Sequence, residues 1–372
     1  MSRKDLSYER YQRQILLRDF GEKGQQQLFG ASVLVVGAGG LGCPALQYLA
    51  AAGVGKIGIV DDDLVSLHNL HRQVLFTTED IGKAKAGVAA KRLESLNPEI
   101  ELATFPFRLT NQNALTIIGE FDIVLDATDN FASRYLINDA CVLLHKPLVY
   151  GAISQFEGQV AVFQAAENSV NYRDLFPEPP PPGSVLNCAE AGVLGVLPGI
   201  IGTLQATEVI KLLTGIGKPL VNQLFTYNAL TNESFVFDLA TKKQTASLLP
   251  KTAAEYERLD YEWLCEGPVS VVEEMDTAAF NACLHEDKTL VIDVREEGEQ
   301  PEITSFSHRK LPLSRLKENI PAIDANTVVL FCQSGKRSRE AAALLSATFG
   351  KTKKIYSLKG GILNWKANGK EA

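Results

Sequence analysis

A chain of 372 residues exceeds the length at which one hydrophobic core usually stops growing, so two domains are expected and three are possible. With 45% hydrophobic residues it can build such cores, and its formal net charge of −7 argues against a nucleic-acid partner, whose phosphates attract clustered Lys and Arg. Six cysteines, at positions 43, 141, 188, 265, 283 and 332, are scattered without close pairs and read as reduced thiols. The stretch MSRKDLSYERYQRQ lacks a signal-like apolar core and no run of roughly 18 apolar residues could span a bilayer, so a cytoplasmic protein without membrane contact is expected.

From Ser32 the chain reads as an apolar strand, VLVV, then GAGGLG, a helical stretch Cys43–Ala52 and a second strand, KIGIV, that ends in three aspartates. Two further buried-strand candidates, FDIVLDAT and KPLVYGA, flank a helical segment Ser133–Leu144, the alternation of a Rossmann-like, doubly wound, mostly parallel α/β sheet. Beyond Gly158 strand-like runs QVAVFQ and SFVFDL surround a helix at Leu204–Leu213, and Pro177–Pro182 reads as a loop because PEPPPP cannot be helical. Residues 1–240 are thus expected to form one domain. Residues 241–268 read as a polar, Pro/Gly-bounded linker, able to span roughly 30 Å if flexible, and a smaller α/β unit is expected over 269–372.

Gly37, Gly39 and Gly42, with Gly40 between them, have the GxGxxG spacing that allows a tight turn and leaves helix-N-terminal amides free for an anion. Asp61 ends the second strand 19 residues beyond Gly42, where a carboxylate can accept from a ribose. These features alone fit NAD and ATP equally, or a turn that only packs helix on strand. A set of polar groups breaks the tie: Asn69, Arg72, Gln73 and Lys85, with Arg13 upstream and Asp129 at the end of a buried strand. Singly, each cation would be a surface charge and Asp129 a helix cap. Together they suit a polyphosphate, where one cation at ~4 Å contributes up to ~4 kcal/mol at an effective dielectric near 20, and Asp129 could hold Mg²⁺.

The segments RYQRQI, GAGGLG, VSLHNLHRQ, DATDN and NCAEAGV resemble the adenylyltransferases of the MoeB/ThiF family, relatives of ubiquitin-activating enzymes, over residues 1–240. The resemblance implies that ATP is the substrate, that Asp61 holds its ribose, that Arg13, Arg72 and Lys85 act on its phosphates, that Asn69 and Gln73 line the site and that Asp129 binds Mg²⁺. It implies a homodimer in which Arg13 reaches the neighbour's site. It also implies a ubiquitin-like sulfur-carrier partner, MoaD-like or ThiS-like, whose C-terminal Gly-Gly carboxylate becomes an acyl adenylate. Where many relatives place two C-x-x-C zinc pairs, this chain has Asn171 and Asp174, and no cysteine near Ser247–Tyr256, so no zinc is expected and packing or a dimer interface should hold the region.

Cys188, in VLNCAEAGV, stands at the family position for a covalent link to the carrier, or else is a small buried hydrophobe. Cys332 opens CQSGKRS between the strand TVVLF and the helical REAAALLSATF, where loop amides, Lys336 and Arg337 would favour its thiolate. This loop, with VIDVREEGE and YSLKGGILNW, resembles a rhodanese-like domain over residues 269–372, while EITSFSHRKLPLSRL matches only loosely. The resemblance implies a persulfide on Cys332, charged by a donor such as a cysteine desulfurase. An anion-binding loop or an inactive docking module is the alternative. The remaining cysteines, and His68, His71, His145, His285 and His308, show no catalytic or metal spacing, and Trp365 and Tyr356 suit a core. A nicotinamide oxidoreductase, supported by GxGxxG and Asp61 alone, and a non-catalytic carrier scaffold are the competing functions.

Overall fold

The structure, a computed structural model, describes residues 8–164, 169–179, 192–242, 244–261, 272–284 and 288–368. The chain divides into two compact units, Met1–Glu266 and Gly267–Ala372. Among the described residues no helix is long and apolar enough to cross a membrane.

Eight strands of the first unit, β1 (Ser32–Val36), β2 (Lys56–Val60), β3 (Glu101–Phe105), β4 (Ile123–Asp126), β5 (Leu148–Ser154), β6 (Glu157–Phe163), β7 (Gln223–Asn228) and β8 (Ser234–Asp238), form one sheet in the order β3-β2-β1-β4-β5-β6-β7-β8. The first five are parallel and the last three antiparallel. Its described helices are α1 (Tyr8–Ile15), α2 (Gly21–Gly30), α3 (Gly42–Ala52), α4 (Lys85–Leu96), α5 (Ala114–Gly119), α6 (Phe131–Leu144), α7 (Tyr172–Leu175), α8 (Leu197–Thr214) and α9 (Ala253–Arg258). Successive side chains of β1 enter opposite cores. Val33 and Val35 pack with Leu46 of α3, Leu93 of α4 and Ile201 of α8, while Leu34 and Val36 pack with Ile118 of α5 and Tyr135 of α6. A strand buried on both faces needs an unbroken apolar run, which is why VLVV is legible.

Helix α8 starts seven residues before the expected Leu204. Pro198 is tolerated in its first turn, and Gly202 is there for packing, since a Cβ would strike the Leu41 carbonyl of the neighbouring helix. The edge strand β8 leaves Phe235, Val236 and Phe237 each more than half exposed.

The expected 241–268 linker is corrected over residues 244–261, which pack on the first unit. Tyr256 and Tyr261 are buried in the core beneath α6; the Tyr256 hydroxyl donates to Leu136 O at 3.1 Å and that of Tyr261 to Asp139 Oδ2 at 3.0 Å. Asn111 Nδ2 donates to the carbonyls of Glu257 and Leu259 at 2.7 and 2.8 Å. Two buried aromatics are enough to fold back a segment whose average composition is polar. Residues 262–268 lie outside the described residues.

At the positions of the relatives' first cysteine pair, Asn171 and Asp174 form a capping box on α7. Asp174 also accepts from Lys242 N at 2.9 Å and Thr245 Oγ1 at 2.5 Å, so hydrogen bonds join α7 to the segment after β8. Beside them the fully buried Asp139 takes a bidentate pair from Arg173 at 2.8 and 2.7 Å.

The second unit has five parallel strands, β9 (Glu273–Met275), β10 (Thr289–Asp293), β11 (Arg309–Lys310), β12 (Thr327–Phe331) and β13 (Lys354–Leu358), in the order β11-β10-β12-β13-β9. The helices α10 (Thr277–Cys283), α11 (Leu313–Glu318), α12 (Lys336–Phe349) and α13 (Gly361–Asn368) cover both faces. Val328 and Leu330 of β12 pack against α11 and α12, while Val329 and Phe331 pack with Phe280 and Ile362. Trp365 and Tyr356, expected in the core, are partly buried and pack against this second cluster.

Arg173→Ala strands the Asp139 carboxylate in the core and is expected to lower the unfolding free energy of the full chain by about 3–5 kcal/mol in a urea titration. The double substitution Arg173→Met with Asp139→Leu should cost distinctly less than Arg173→Ala alone, because no unpaired charge remains.

Candidate active site

Gly37 makes the turn after β1 with φ +98°, its N–H donating to Val60 O at 2.8 Å. A Cβ at Gly37 would lie 2.7 Å from the Ala127 carbonyl oxygen, and one at Gly42 would overlap the Gly37 carbonyl. These two glycines are consumed by the close approach of β1, β4 and α3. Gly39 differs: the nearest atom to a Cβ there is Gln73 Nε2 at 3.6 Å, and at Gly40 Arg72 Cγ stands at the same distance behind Pro198. Arg72 and Gln73 therefore lie over the glycine turn, as the spacing suggested.

Asp61 binds that turn directly. Its Oδ2 accepts from Ala38 N at 2.7 Å and its Oδ1 from Asp63 N at 2.9 Å, leaving lone pairs on both oxygens for a ligand's hydroxyls. Burial raises the Asp61 pKa, and Lys85 with the two amides works against that rise.

Lys85 is the first residue of α4 and is 3% exposed. A buried cation at the positive end of a helix is doubly unfavourable. Asp63 Oδ2, 2.8 Å from its Nζ, offsets both costs. Asn69 Oδ1 accepts from Arg72 Nη2 at 2.7 Å, and Arg72 Nη1 donates to His68 O at 3.3 Å and lies 2.7 Å from His71 Nε2. Gln73 is 4% exposed and its Oε1 has no hydrogen-bond partner among the described residues. An unpaired buried acceptor costs about 1–3 kcal/mol, so this oxygen fits a donor brought by a nucleotide.

Asp129 requires a correction. The buried strand ends at Asp126, and Asp129 stands three residues later in an exposed loop. It is not the helix cap either, because Asn130 Oδ1 caps α6 by accepting from Ser133 N at 2.9 Å. Among the described residues it has no hydrogen bond or ion pair, so its carboxylate oxygens are open, as a magnesium ligand requires. The strand-end carboxylate is Asp126, fully buried, accepting from Thr128 N at 2.9 Å and Thr128 Oγ1 at 2.6 Å and so shaping the DATD loop. Burial raises its pKa while Arg134 and Thr128 lower it.

Arg13 is exposed on α1, and among the described residues it has no hydrogen bond or ion pair with this group. Cys188 and Cys265 lie outside the described residues. Sequence reasoning missed Asp63, Asp126 and the His71 contact to Arg72. The signals were faint: one aspartate among three, and a histidine beside the arginine it touches.

In the second unit Cys332 follows β12 and is fully buried. Its Sγ accepts from Gly335 N at 3.2 Å and lies 3.7 Å from Ser338 Oγ. The Cys332 carbonyl accepts from Ile362 N at 2.8 Å, and a Cβ on Gly361 would come within 2.6 Å of that oxygen, so the KGGI turn props the sulfur loop from beneath. The expected help from Arg337 is corrected: its guanidinium is tied to Glu299, with Nη2 2.7 Å from Oε2. The Lys336 side chain is outside the described residues. Cys43, Cys141 and Cys283 are buried, and burial pushes the Cys43 thiol up to about 12, far from a nucleophile's range.

Residues 11–248 match the ThiF family, which is most of the chain. The chain belongs to the ThiF family. A rhodanese-like domain matches residues 276–368. The sulfur carrier protein adenylyltransferase of Thermus thermophilus is 54% identical over 69% of this chain and 96% of its own length. The adenylyltransferase and sulfurtransferase UBA4 of Meyerozyma guilliermondii is 40% identical over 98% of this chain and 90% of that protein. Among solved structures, E. coli MccB with MccA-N7isoASN superposes with a TM-score of 0.57 at 22% identity, over 64% of this chain and 74% of that one, a likeness of ThiF-type fold.

Gly42→Ala is expected to prevent soluble folding of this ThiF-type unit, because backbone rather than a flexible side chain blocks the methyl group. Gly39→Ala should keep the parental thermal midpoint yet weaken ATP binding at least about tenfold by calorimetry, since its methyl group meets only Gln73 Nε2, at 3.6 Å, and would stand where backbone is expected to approach phosphate.

Proposed function

We propose that this chain adenylates the C-terminal glycine carboxylate of a ubiquitin-like sulfur-carrier protein with ATP, and that its rhodanese-like unit supplies sulfur to convert the product to a thiocarboxylate. The observation that carries this reading is Lys85. A buried ammonium at a helix N-terminus, neutralised by the exposed carboxylate of Asp63 and close to the Asp61–Ala38 contact, is arranged for an anionic ligand. Hydride transfer has no use for it.

In this reading Asp61 accepts from the ribose hydroxyls and Gln73 from a nucleotide donor. Arg72, held by Asn69 and the His68 carbonyl, and Lys85 face the phosphates. A carrier carboxylate oxygen attacks the α-phosphorus, the bond to the bridging oxygen breaks, and pyrophosphate leaves. The enzyme's work is to hold two anions together, which fixed cations do without reorganisation. Magnesium, held by Asp129, would supply further charge neutralisation. Arg13, exposed on α1, serves the site of a second copy in a homodimer.

Cys332 then carries sulfur as a persulfide, received from a donor such as a cysteine desulfurase. Its outer sulfur attacks the activated carbonyl and AMP leaves. A second thiol attacks Cys332 Sγ, frees the thiocarboxylate and leaves a disulfide, while Cys188 is the candidate for a covalent link to the carrier. Linking the units raises the local concentration of persulfide to about the millimolar range. A reduced thiol at Cys332 suits a cytoplasmic location. The Asp174 hydrogen bonds and the Asp139–Arg173 pair do the fastening that zinc performs elsewhere, and elemental analysis should find well under one zinc per chain.

ATP–pyrophosphate exchange is expected to require a carrier with an intact C-terminal diglycine. Lys85→Ala should lower the exchange rate about 10²–10³-fold, and full exchange by Asp129→Ala would refute the metal assignment. Exchange that proceeds without any carrier carboxylate would reject the proposed substrate.

A further inference from the structure

The loop that carries Cys332 attracts a multiply charged sulfur donor only if positive charge beside it remains uncancelled. Two arginines belong to the segments around the sulfur loop, Arg295 after β10 and Arg337 in the first turn of α12, and each is matched by a carboxylate. Arg295, 2% exposed, forms a bidentate pair with Asp293 at 2.7 to 3.1 Å, and its guanidinium lies 5.6 Å from the ring centre of Phe331, the residue before Cys332. Arg337 precedes Ser338, whose hydroxyl is 3.7 Å from Cys332 Sγ. Its two terminal nitrogens donate to the two oxygens of Glu299, at 2.5 and 2.7 Å. Glu299 comes from the segment after β10 and is itself anchored, accepting from Glu296 N at 2.8 Å. The Arg337 hydrogen bond holds its carboxyl below the usual glutamate range, so it is ionised at neutral pH.

We propose that Glu299 is a specificity-determining residue of the sulfur-transfer loop: by cancelling Arg337 it disfavours dianionic inorganic sulfur donors such as thiosulfate and leaves the loop selective for persulfides. The inference rests on the reading that Cys332 accepts sulfur. In either transfer the Cys332 thiolate attacks the outer sulfur of the donor and the donor's S–S bond breaks. The electron pair leaves with sulfite from thiosulfate, or with a thiolate from a persulfide R–S–SH, and Cys332 becomes a persulfide without any added oxidant. Thiosulfate brings two negative charges that need compensation, whereas a persulfide brings at most one, so one uncancelled cation discriminates between them.

The test measures thiocyanate formation by the full chain with cyanide as acceptor and either thiosulfate or hydroxyethyl persulfide as donor. Glu299→Gln is expected to raise the ratio of kcat/KM for thiosulfate to that for the persulfide at least about tenfold, roughly 1.4 kcal/mol. The gain should lie mainly in the thiosulfate KM and shrink with added salt. Arg337→Gln, which leaves Glu299 uncompensated, should lower the ratio, and the double variant should return it near the parental value. A folded Glu299→Gln protein with a ratio within about twofold of the parent overturns the proposal. If that variant does not fold, an unchanged or higher ratio in Arg337→Gln overturns it. Cys332→Ser separates the two levels, since turnover surviving in that variant sinks the reading of Cys332 itself, whatever the ratios show.

Discussion

The carbonyl oxygen of Gly37 occupies the space that a methyl group on residue 42 would need, and the Ala127 carbonyl closes on Gly37 from the adjacent strand. That three-way backbone contact brings the ends of β1 and β4 against the first turn of α3. It turns the Ala38 amide toward Asp61 at the end of β2, and it sets the DATD loop beside the same crevice. Open sheets bind ligands beyond the carboxyl ends of their strands because helix amides and strand-end carboxylates converge there. Here the convergence is made by the absence of two side chains, and Lys85, Asn69, Arg72 and Gln73 are brought to it from residues that follow β2.

A second constraint is that buried charge is matched. Lys85 has Asp63, Arg173 has Asp139, and Arg295 has Asp293. The pairs serve different ends. Asp139 and Arg173 sit wholly inside and lock α6, α7 and the Tyr261 segment together. Asp63 is largely exposed while its partner is buried, so an incoming anion can share the ammonium without unfolding anything. Arg337 and Glu299 are partly exposed, and their pairing sets the net charge around a sulfur that is itself buried. Asp129 is the contrast, a carboxylate exposed in its loop and left without a hydrogen bond or ion pair among the described residues.

Much of the frame was legible. Strands buried on both faces write continuous apolar runs, so VLVV, KIGIV and TVVLF could be placed to within a residue or two. Elements with mixed burial were not legible in the same way. The strand β3 is half exposed and carries two polar residues among five, and α8 hides its start behind Pro198 and Gly199. The polar average of residues 241–261 concealed Tyr256 and Tyr261, whose buried rings help to dock that stretch. SFVFD has a strand's alternation, yet it forms an edge whose apolar side chains stay in solvent.

By itself the sequence determined the two α/β units, the glycine turn, and the residue types that gather around a nucleotide and a reactive sulfur, because backbone conformation and strand burial act over a few adjacent positions. Only the tertiary structure decided which charges remain available. That Lys85 meets Asp63, that Asn130 and not Asp129 caps α6, that Asp174 reaches Thr245, and that Arg337 is held by Glu299 depend on side chains up to 71 positions apart. Electrostatic interaction depends on distance in space and on burial, and neither is a property of sequence separation.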